Sequence, residues 1–106
     1  MTFRGMSAIQ ILLHAPTASA LLRARKNAAN ILKDNATAGV RIVVNADAVS
    51  AALDQPDVAG DALTSVCPNT LRRLARKPEA SMNVLPQAAA LALAMLQRER
   101  WLYVRA

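Results

Sequence analysis

The stretch VRIVVN, from Val40 to Asn45, is almost continuous in apolar side chains, most of them β-branched. A second apolar run, IQILL from Ile9 to Leu13, is interrupted only by Gln10. A half-exposed strand alternates apolar and polar residues, whereas a strand covered on both faces of a parallel sheet is apolar nearly throughout. Both stretches are therefore predicted to be buried strands of a parallel sheet that is flanked by helices.

The segment between these strands has the pattern of an amphipathic helix. Leu21, Ala24 and Ala28 recur at spacings of three and four residues, and polar side chains fall on the opposite face. Thr17 precedes the first apolar position and suits an N-cap, because its side chain can accept a hydrogen bond from a free backbone N–H of the first turn. A helix is predicted over residues 17–35.

The remainder of the chain repeats the alternation in shorter segments. Asn69 is a candidate N-cap and Pro86 suits a first helical turn. The predicted strands are 62–66, 81–85 and 101–105, the predicted helices are 46–53, 69–77 and 87–100, and residues 55–61 form a loop. This order predicts an α/β fold, a three-layer α/β/α sandwich around a mainly parallel five-stranded sheet.

Length and composition fit a single domain over residues 1–106. A chain of 106 residues with 54% hydrophobic content can bury one continuous core. Cys67 is the only cysteine and His14 the only histidine, so no intrachain disulfide can form and no Cys/His cluster has metal-ligand spacing. We expect no metal and no organic cofactor, and a reducing compartment.

The beginning of the chain imitates a signal peptide. Arg4 is followed by the apolar segment MSAIQILLHA and by the small residues ASA at 18–20. Gln10 and His14 interrupt the apolar segment, which reads equally well as a first strand. The longest wholly apolar run elsewhere, 88–96, is shorter than the ~20 residues of a membrane span. We expect a soluble, cytoplasmic protein without a membrane partner.

The last predicted helix, with the sequence AAALALAML at 88–96, is apolar almost all round. A helix of this kind is buried on more than one side, and in a small domain another subunit can cover the additional side. This favours a homo-oligomer. The alternative is that its alanine-rich faces pack closely on the sheet of the same chain.

Candidate functional residues follow the predicted strands. Ligands bind at the carboxyl ends of strands in an open parallel sheet, where His14, Asn45 and Cys67 follow the first three. A helix N-terminus and the arginines after Cys67 favour a nucleophilic thiolate there. Alternatively, Cys67 is a buried small apolar residue, and His14 bonds a nearby backbone group instead of acting as a base or proton donor for Cys67.

The formal charge of +6 suits an anionic partner, and basic residues cluster on two predicted helices. These residues are Arg23, Arg25 and Lys26 on one helix and Arg72, Arg73, Arg76 and Lys77 on the other. Only Phe3, Trp101 and Tyr103 could stack on bases, and two of these lie in the predicted last strand. This argues against nucleic acid as the partner and for solvated helix faces.

Several segments resemble the DsrE/DsrF-like family in order over nearly the whole chain. They are ILLHAP at 11–16, RKNAANIL at 25–32, IVVNADAV at 42–49, CPNTLRR at 67–73 and LQRERWLYVRA at 96–106. The most specific are the Cys-x-Asn-Thr-Leu segment and the Gln-x-x-x-aromatic-x-Tyr ending. Two positions depart from the family pattern, because Ala46 and Arg100 stand where relatives commonly carry glycine.

The resemblance implies a small α/β fold, assembly as a trimer or hexamer, and a role in sulfur relay. In such proteins a cysteine at a strand end carries a persulfide and passes its outer sulfur to a partner thiol. The matching residue is Cys67. His14 and Asn45 correspond only to polar positions at the same edge, and the adjoining segment supplies Asn69, Thr70 and Arg72 as candidate substrate-binding residues.

Two functions remain open from the sequence. The first is a sulfur carrier, similar to a sulfurtransferase, in which Cys67 exchanges sulfur with a donor and an acceptor protein. The second is a non-catalytic oligomeric module that binds a small anion or an acidic partner. Substitution of Cys67 by serine distinguishes them, because only the carrier depends on the sulfur atom.

Overall fold

The computed structural model describes residues 8–106, and Phe3 and Arg4, named above, lie outside the described residues. The described residues form five strands and five helices, and every two successive strands are separated by one helix except β2 and β3, which are separated by two. In order, they are β1 (Gln10–Ala15), α1 (Ala18–Asp34), β2 (Gly39–Val44), α2 (Asp47–Asp54), α3 (Val58–Ala62), β3 (Thr64–Val66), α4 (Pro68–Leu74), β4 (Asn83–Val84), α5 (Ala89–Arg98) and β5 (Leu102–Arg105).

The strands form one sheet in the order β4-β3-β2-β1-β5, and every neighbouring pair is parallel. In the register, Leu12 lies beside Arg41 on one side and beside Tyr103 on the other. Val44 lies beside Val66 at the end of β2 and β3. The predicted α/β architecture, with its five-stranded and mainly parallel sheet, is confirmed.

Two apolar clusters separate the three layers. The larger one joins the sheet to α1, α2 and α4, and it includes Leu13, Ile42 and Val44 from the strands. The smaller one joins the opposite face to α5 and includes Leu12 and Val43. This alternation along β1 and β2 places neighbouring residues on opposite faces. All five side chains are at most 1% exposed, and each contributes roughly 1.5–3 kcal/mol by burial.

The predicted N-cap of α1 is confirmed. Thr17 has extended backbone angles, and its hydroxyl accepts a hydrogen bond from the N–H of Ala20 at 3.1 Å. The buried residues of α1 include Leu21, Ala24 and Ala28, as the spacing predicts.

The short elements differ from their predicted bounds. Residues 58–62, assigned mostly to a loop, form α3, because the Asp57 carboxylate accepts the N–H of Gly60 at 3.0 Å and caps a single turn. The prediction that Asn69 caps α4 is wrong. The N-cap is Cys67, since Pro68 lacks a backbone N–H and has a φ that suits the first helical position.

Three other bounds also move. The helix α4 ends at Leu74, and Ala75 adopts a left-handed conformation there instead of continuing to Lys77. The helix α5 begins at Ala89, so Pro86 lies before it and outside its first turn. His14 lies within β1 and does not follow it.

A charged cluster fastens α1 to α3. Arg25 of α1 places Nη2 at 3.3 Å from Oδ1 of Asp61, and its Nε lies 4.0 Å from Oδ2 of Asp57. The backbone N–H of Asp57 donates to Oδ2 of Asp61 at 3.2 Å. The Arg25 side chain is 12% exposed and that of Asp61 is 5% exposed, so this is a nearly buried ion pair. We expect it to be costly to break.

Ala46, directly after β2, has φ 49° and ψ −135°. This left-handed region is populated mainly by glycine, because a Cβ atom clashes with the backbone there. Arg100 and Ala75 also have positive φ values, of 70° and 52°. The chain is therefore strained where β2 passes into α2.

Replacing Ala46 with glycine is expected to raise the free energy of unfolding by about 1 kcal/mol, because relief of 1–3 kcal/mol of strain exceeds the entropy that glycine loses. Urea unfolding monitored by circular dichroism measures the change. Ala29 is exposed in the middle of α1 and serves as the control. Ala29→Gly should lower stability by about 1 kcal/mol, and a loss of similar size in Ala46→Gly would contradict the assignment of strain.

None of the helices among residues 8–106 combines the length and apolar character that a membrane span requires.

Candidate functional site

The candidate residues lie at one end of the sheet, here called the carboxyl edge and marked by Ala15, Val44, Val66 and Arg105, the last residues of β1, β2, β3 and β5. Asn45 directly follows Val44, and Cys67 directly follows Val66. Val44 and Val66 are register partners, so Asn45 and Cys67 each lie one residue beyond the end of neighbouring strands. The backbone N–H of Cys67 donates to the carbonyl of Val44 at 3.1 Å, which extends this pairing.

Cys67 is nearly buried at this edge. Cys67 is 5% exposed and packs in the apolar cluster beneath α5. Burial raises the pKa of the Cys67 thiol, but hydrogen bonding from the backbone at Ala89 and Thr70, from the Thr70 hydroxyl and from the backbone at Asn69 lowers it. The pKa of Cys67 therefore lies below its ordinary value.

The groups that favour the thiolate come from two helix beginnings. Cys67 is the N-cap of α4, whose first turn contains Asn69 and Thr70. Ala89 is the first residue of α5. The first N–H groups of a helix have no partner within the helix, and they carry positive partial charge. They offer hydrogen bonds to an anionic sulfur without requiring a basic side chain.

Removing the Thr70 hydroxyl tests this arrangement. Thr70→Val retains a β-branched side chain of similar shape at a position that is 6% exposed. We expect the pKa of Cys67 to rise, because a group that stabilises the thiolate is lost. The rate of alkylation measured against pH should therefore have a higher midpoint than in the wild type.

Thr37 is exposed in the turn before β2 and provides the matched substitution, Thr37→Val. Its midpoint should equal that of the wild type. A Thr70→Val midpoint that does not move, or moves downward, would rule out the hydroxyl as a source of thiolate stabilisation.

His14 is held by side chains from two other strands. Its Nδ1 lies 2.6 Å from the hydroxyl oxygen of Tyr103 on β5, and its Nε2 lies 2.9 Å from Oδ1 of Asn45. The rings of His14 and Tyr103 are tilted by 52° with centroids 5.6 Å apart. Both ring nitrogens are thus occupied, and within residues 8–106 no hydrogen bond joins His14 to Cys67.

The remaining candidates divide into two groups. Thr70 is buried, and both its backbone and its hydroxyl lower the pKa of Cys67. The backbone of Asn69 lowers this pKa as well. The Asn69 side chain instead accepts a hydrogen bond from the Arg72 guanidinium, and both residues are exposed. Asn69 and Arg72 therefore form a surface pair beside the site, and neither side chain acts on the Cys67 sulfur.

Two contributors are absent from the set of residues that the sequence suggests. Ala89 acts through its backbone, which leaves no signature in residue type. In the sequence Tyr103 stands out only as an aromatic residue. In the sheet it lies beside Leu12, and its hydroxyl contacts His14. The signal that identifies Tyr103 is the alternation of side-chain directions along β5, once β5 is known to pair with β1.

A cavity of about 200 Å³ adjoins the Cys67 cluster. Leu85, Ala92 and Leu96 belong both to its lining and to the apolar cluster around Cys67. Arg41 and Glu99 add charged groups to its wall. The cavity provides an open space on the α5 face of the sheet next to the side chains that cover the sulfur.

A scan against protein-family models finds no match to the chain, and a search of curated proteins finds no significant relative. The function must therefore be inferred from the geometry of the carboxyl edge.

Proposed function

We propose that the protein is a sulfur carrier in which Cys67 transiently holds a persulfide. The observation that supports this proposal best is the position of Cys67 at the N-cap of α4 and in the cluster beneath α5, where the beginnings of the two helices lower the pKa of its thiol. A structural cysteine in an apolar core has a raised pKa, whereas a nucleophilic cysteine needs a stabilised thiolate. The carboxyl edge is also where ligands bind in parallel α/β sheets.

The transfer proceeds by thiol exchange. The Cys67 thiolate attacks the outer sulfur of a donor persulfide, R–S–SH. The donor's S–S bond breaks, R–S⁻ leaves with the electron pair, and Cys67 becomes Cys67–S–SH. An acceptor thiolate then attacks this outer sulfur, forms a new persulfide and releases the Cys67 thiolate. Neither step requires a metal, an organic cofactor or a net change in oxidation state.

The resemblance to the DsrE/DsrF-like family supports the same function. Ala46 and Arg100, which stand where relatives commonly carry glycine, both have positive φ. Glycine adopts this conformation without strain, so the backbone at these two positions is of the kind that the family's glycines would suit. The proposed cellular setting is a cytoplasm that keeps Cys67 reduced, with a donor and an acceptor protein as partners.

Exposure to a persulfide donor followed by intact mass measurement tests the proposal. The folded protein should gain one sulfur atom, and addition of an acceptor thiol should remove it. Alkylation of Cys67 before exposure should prevent the gain. A thiol that reacts only after unfolding would show that Cys67 is part of the core, and the carrier function would be abandoned.

The second candidate is a non-catalytic binding module, and the 5% exposure of Cys67 favours it. Arg72, Arg73 and Lys77 in and after α4 are exposed and offer positive charge to a small anion or an acidic partner. Such a module should retain its ligand affinity when Cys67 is replaced by serine. The carrier should lose sulfur transfer completely.

We also propose a homo-oligomer, a trimer or hexamer, that uses the outer face of α5. Leu91 is 51% exposed and Met95 is 41% exposed, and their spacing places them on the same face of this helix. A subunit contact would remove both side chains from water.

The substitution Leu91→Arg is expected to dissociate such an oligomer, because a charge would be buried in an apolar contact. Light scattering coupled to size-exclusion chromatography measures the mass. Leu22 on α1 is equally exposed, at 54%, but lies in the opposite layer, and Leu22→Arg should leave the assembly intact. A monomeric wild type, or dissociation by Leu22→Arg alone, would contradict the proposed interface.

A further inference from the structure

The side chains of Tyr103, His14 and Asn45 form a continuous hydrogen-bonded chain across β5, β1 and β2. With a neutral His14 ring, two alternative networks satisfy these hydrogen bonds. In one, the Tyr103 hydroxyl donates to Nδ1, and the N–H at Nε2 of His14 donates to Oδ1 of Asn45. In the other, Nδ1 carries the proton and donates to the Tyr103 oxygen, and the Asn45 amide is turned over so that Nδ2 donates to Nε2.

The distances favour the first network. The Oη–Nδ1 separation of 2.6 Å is typical of a hydroxyl donor, and the Nε2–Oδ1 separation of 2.9 Å is typical of an N–H donor to a carbonyl oxygen. In this network Nε2 carries a proton and Nδ1 accepts the hydrogen bond of Tyr103, so both ring nitrogens are engaged by side chains other than Cys67.

This network determines what Asn45 presents to a ligand. Oδ1 and Nδ2 branch from the same carbon atom, so an oxygen directed at β1 turns the two Nδ2 hydrogens away from β1. Within residues 8–106, these hydrogens have no hydrogen-bond partner. Asn45 and Cys67 each lie one residue beyond the register partners Val44 and Val66 and are here called the rim, so in this network the rim carries the Nδ2 donor of Asn45 as well as the sulfur.

The position of the Tyr103, His14 and Asn45 side chains in the sheet is a second argument for a ligand at the carboxyl edge. From β1 the polypeptide continues to β2, its neighbour on one side in the sheet. The strand β5 is the neighbour of β1 on the other side, and the polypeptide reaches it through α5, which packs on the face of the sheet opposite α1. Ligands of open α/β sheets bind at such a switch in strand order, beyond the carboxyl ends of the strands. His14 and Tyr103 lie on the two strands that flank this switch, and Tyr103 is 40% exposed.

We propose that Tyr103 and His14 are positioning residues that fix the Asn45 amide with its Nδ2 hydrogens at the rim, where they select reactants that carry an anionic group next to the atom attacked by Cys67. Because Cys67 is taken as the reacting group, this selection rests on the proposed function. A reactant with a carboxylate or another anionic group at that point gains a hydrogen bond from Nδ2. A neutral reactant gains less.

The rates of Cys67 alkylation by anionic iodoacetate and by neutral iodoacetamide test the selection, and their ratio is the readout. Replacing Asn45 with alanine should lower the iodoacetate-to-iodoacetamide ratio roughly threefold to tenfold, the usual net contribution of one hydrogen bond. Tyr103→Phe should lower the ratio in the same direction by a smaller factor. In the Asn45→Ala background, Tyr103→Phe should have no further effect.

Asn30→Ala provides the control, because Asn30 is an exposed amide on α1, which packs on the face of the sheet opposite the Cys67 cluster, and its ratio should equal that of the wild type. An unchanged ratio in Asn45→Ala, or an effect of Tyr103→Phe that persists without the Asn45 amide, would overturn the positioning role.

The proton position is measured separately by the nitrogen chemical shifts of His14 in isotope-labelled protein. His14 is the only histidine of the chain, so its signal needs no further assignment. We expect the proton on Nε2, and a proton on Nδ1 would refute the network. If neither reagent reaches Cys67 in the folded protein, the sulfur-carrier function fails, while these shifts still decide the arrangement of Tyr103, His14 and Asn45.

Discussion

Replacing Asp61 with alanine is expected to lower the free energy of unfolding by about 3–5 kcal/mol, the usual cost of removing one partner of a buried ion pair. The substitution leaves the Arg25 guanidinium 12% exposed without its closest carboxylate. The Nε of Arg25 is already buried without a hydrogen-bond partner among the described residues, so few polar groups would remain to stabilise the guanidinium charge. The N–H of Asp57 also loses its acceptor. Urea unfolding measures the loss.

The chain contains a matched ion pair at its surface. Nη1 of Arg76 lies 2.7 Å from Oδ1 of Asp54, and the two side chains are 39% and 61% exposed. Asp54→Ala should cost less than about 1 kcal/mol, because water already screens this pair. The double substitution Arg25→Met with Asp61→Ala should recover much of the stability, since no buried charge remains. Similar losses for Asp61→Ala and Asp54→Ala would contradict the burial of the Arg25 cluster.

Replacing Cys67 with serine is expected to abolish sulfur loading completely. The serine hydroxyl has nearly the shape of the thiol, but it cannot form the S–S bond on which the transfer depends. The measurement is the intact mass after treatment with a persulfide donor, together with the transfer of sulfur to an acceptor thiol. Circular dichroism of the same variant should show an unchanged fold. Residual loading in the serine variant would eliminate Cys67 as the carrier.

The stability of the wild type relative to Cys67→Ser should also depend on pH. The pKa of Cys67 is lower in the folded protein than that of an ordinary cysteine thiol, so the unfolded chain binds more protons between the folded and the unfolded pKa. The wild type should therefore gain stability as the pH rises through this interval. The gain is complete above the unfolded pKa and is lost as the pH falls through the folded pKa. A difference between the two proteins that is constant with pH would contradict the stabilised thiolate.

Most of the fold was accessible from local sequence patterns. The stretch at 40–45 predicts a strand covered on both faces, and Ile42, Val43 and Val44 are fully buried. The three-residue and four-residue spacing of α1 is equally clear, because the helix is long enough to show its period. The pattern fails for α3, which contains five residues, whereas the strand predicted at 81–85 is present but limited to the two residues of β4. In α3 the structure depends on one capping carboxylate, that of Asp57, and not on a period.

The candidate site could be predicted only where it depends on strand ends. Cys67 and Asn45 follow buried strands, and the sequence places them at one edge. The support of Cys67 by the Ala89 backbone, in contrast, depends on how α5 returns across the sheet. The bond between Tyr103 and His14 depends on which strand lies beside β1. Both are relations between distant segments, which no local pattern of residue types contains.

The place of β5 in the sheet has a consequence for synthesis of the chain. β1 forms near the beginning of the described sequence, but one of its two neighbours is the last strand, with Ile11 paired to Leu102. A chain emerging from the ribosome therefore exposes one side of β1 until residues 102–105 have been translated. We expect completion of the sheet to be a late and comparatively slow event, because closure of so long a loop precedes the contacts that reward it. Nascent chains would depend on chaperones to shield this open side from pairing with one another.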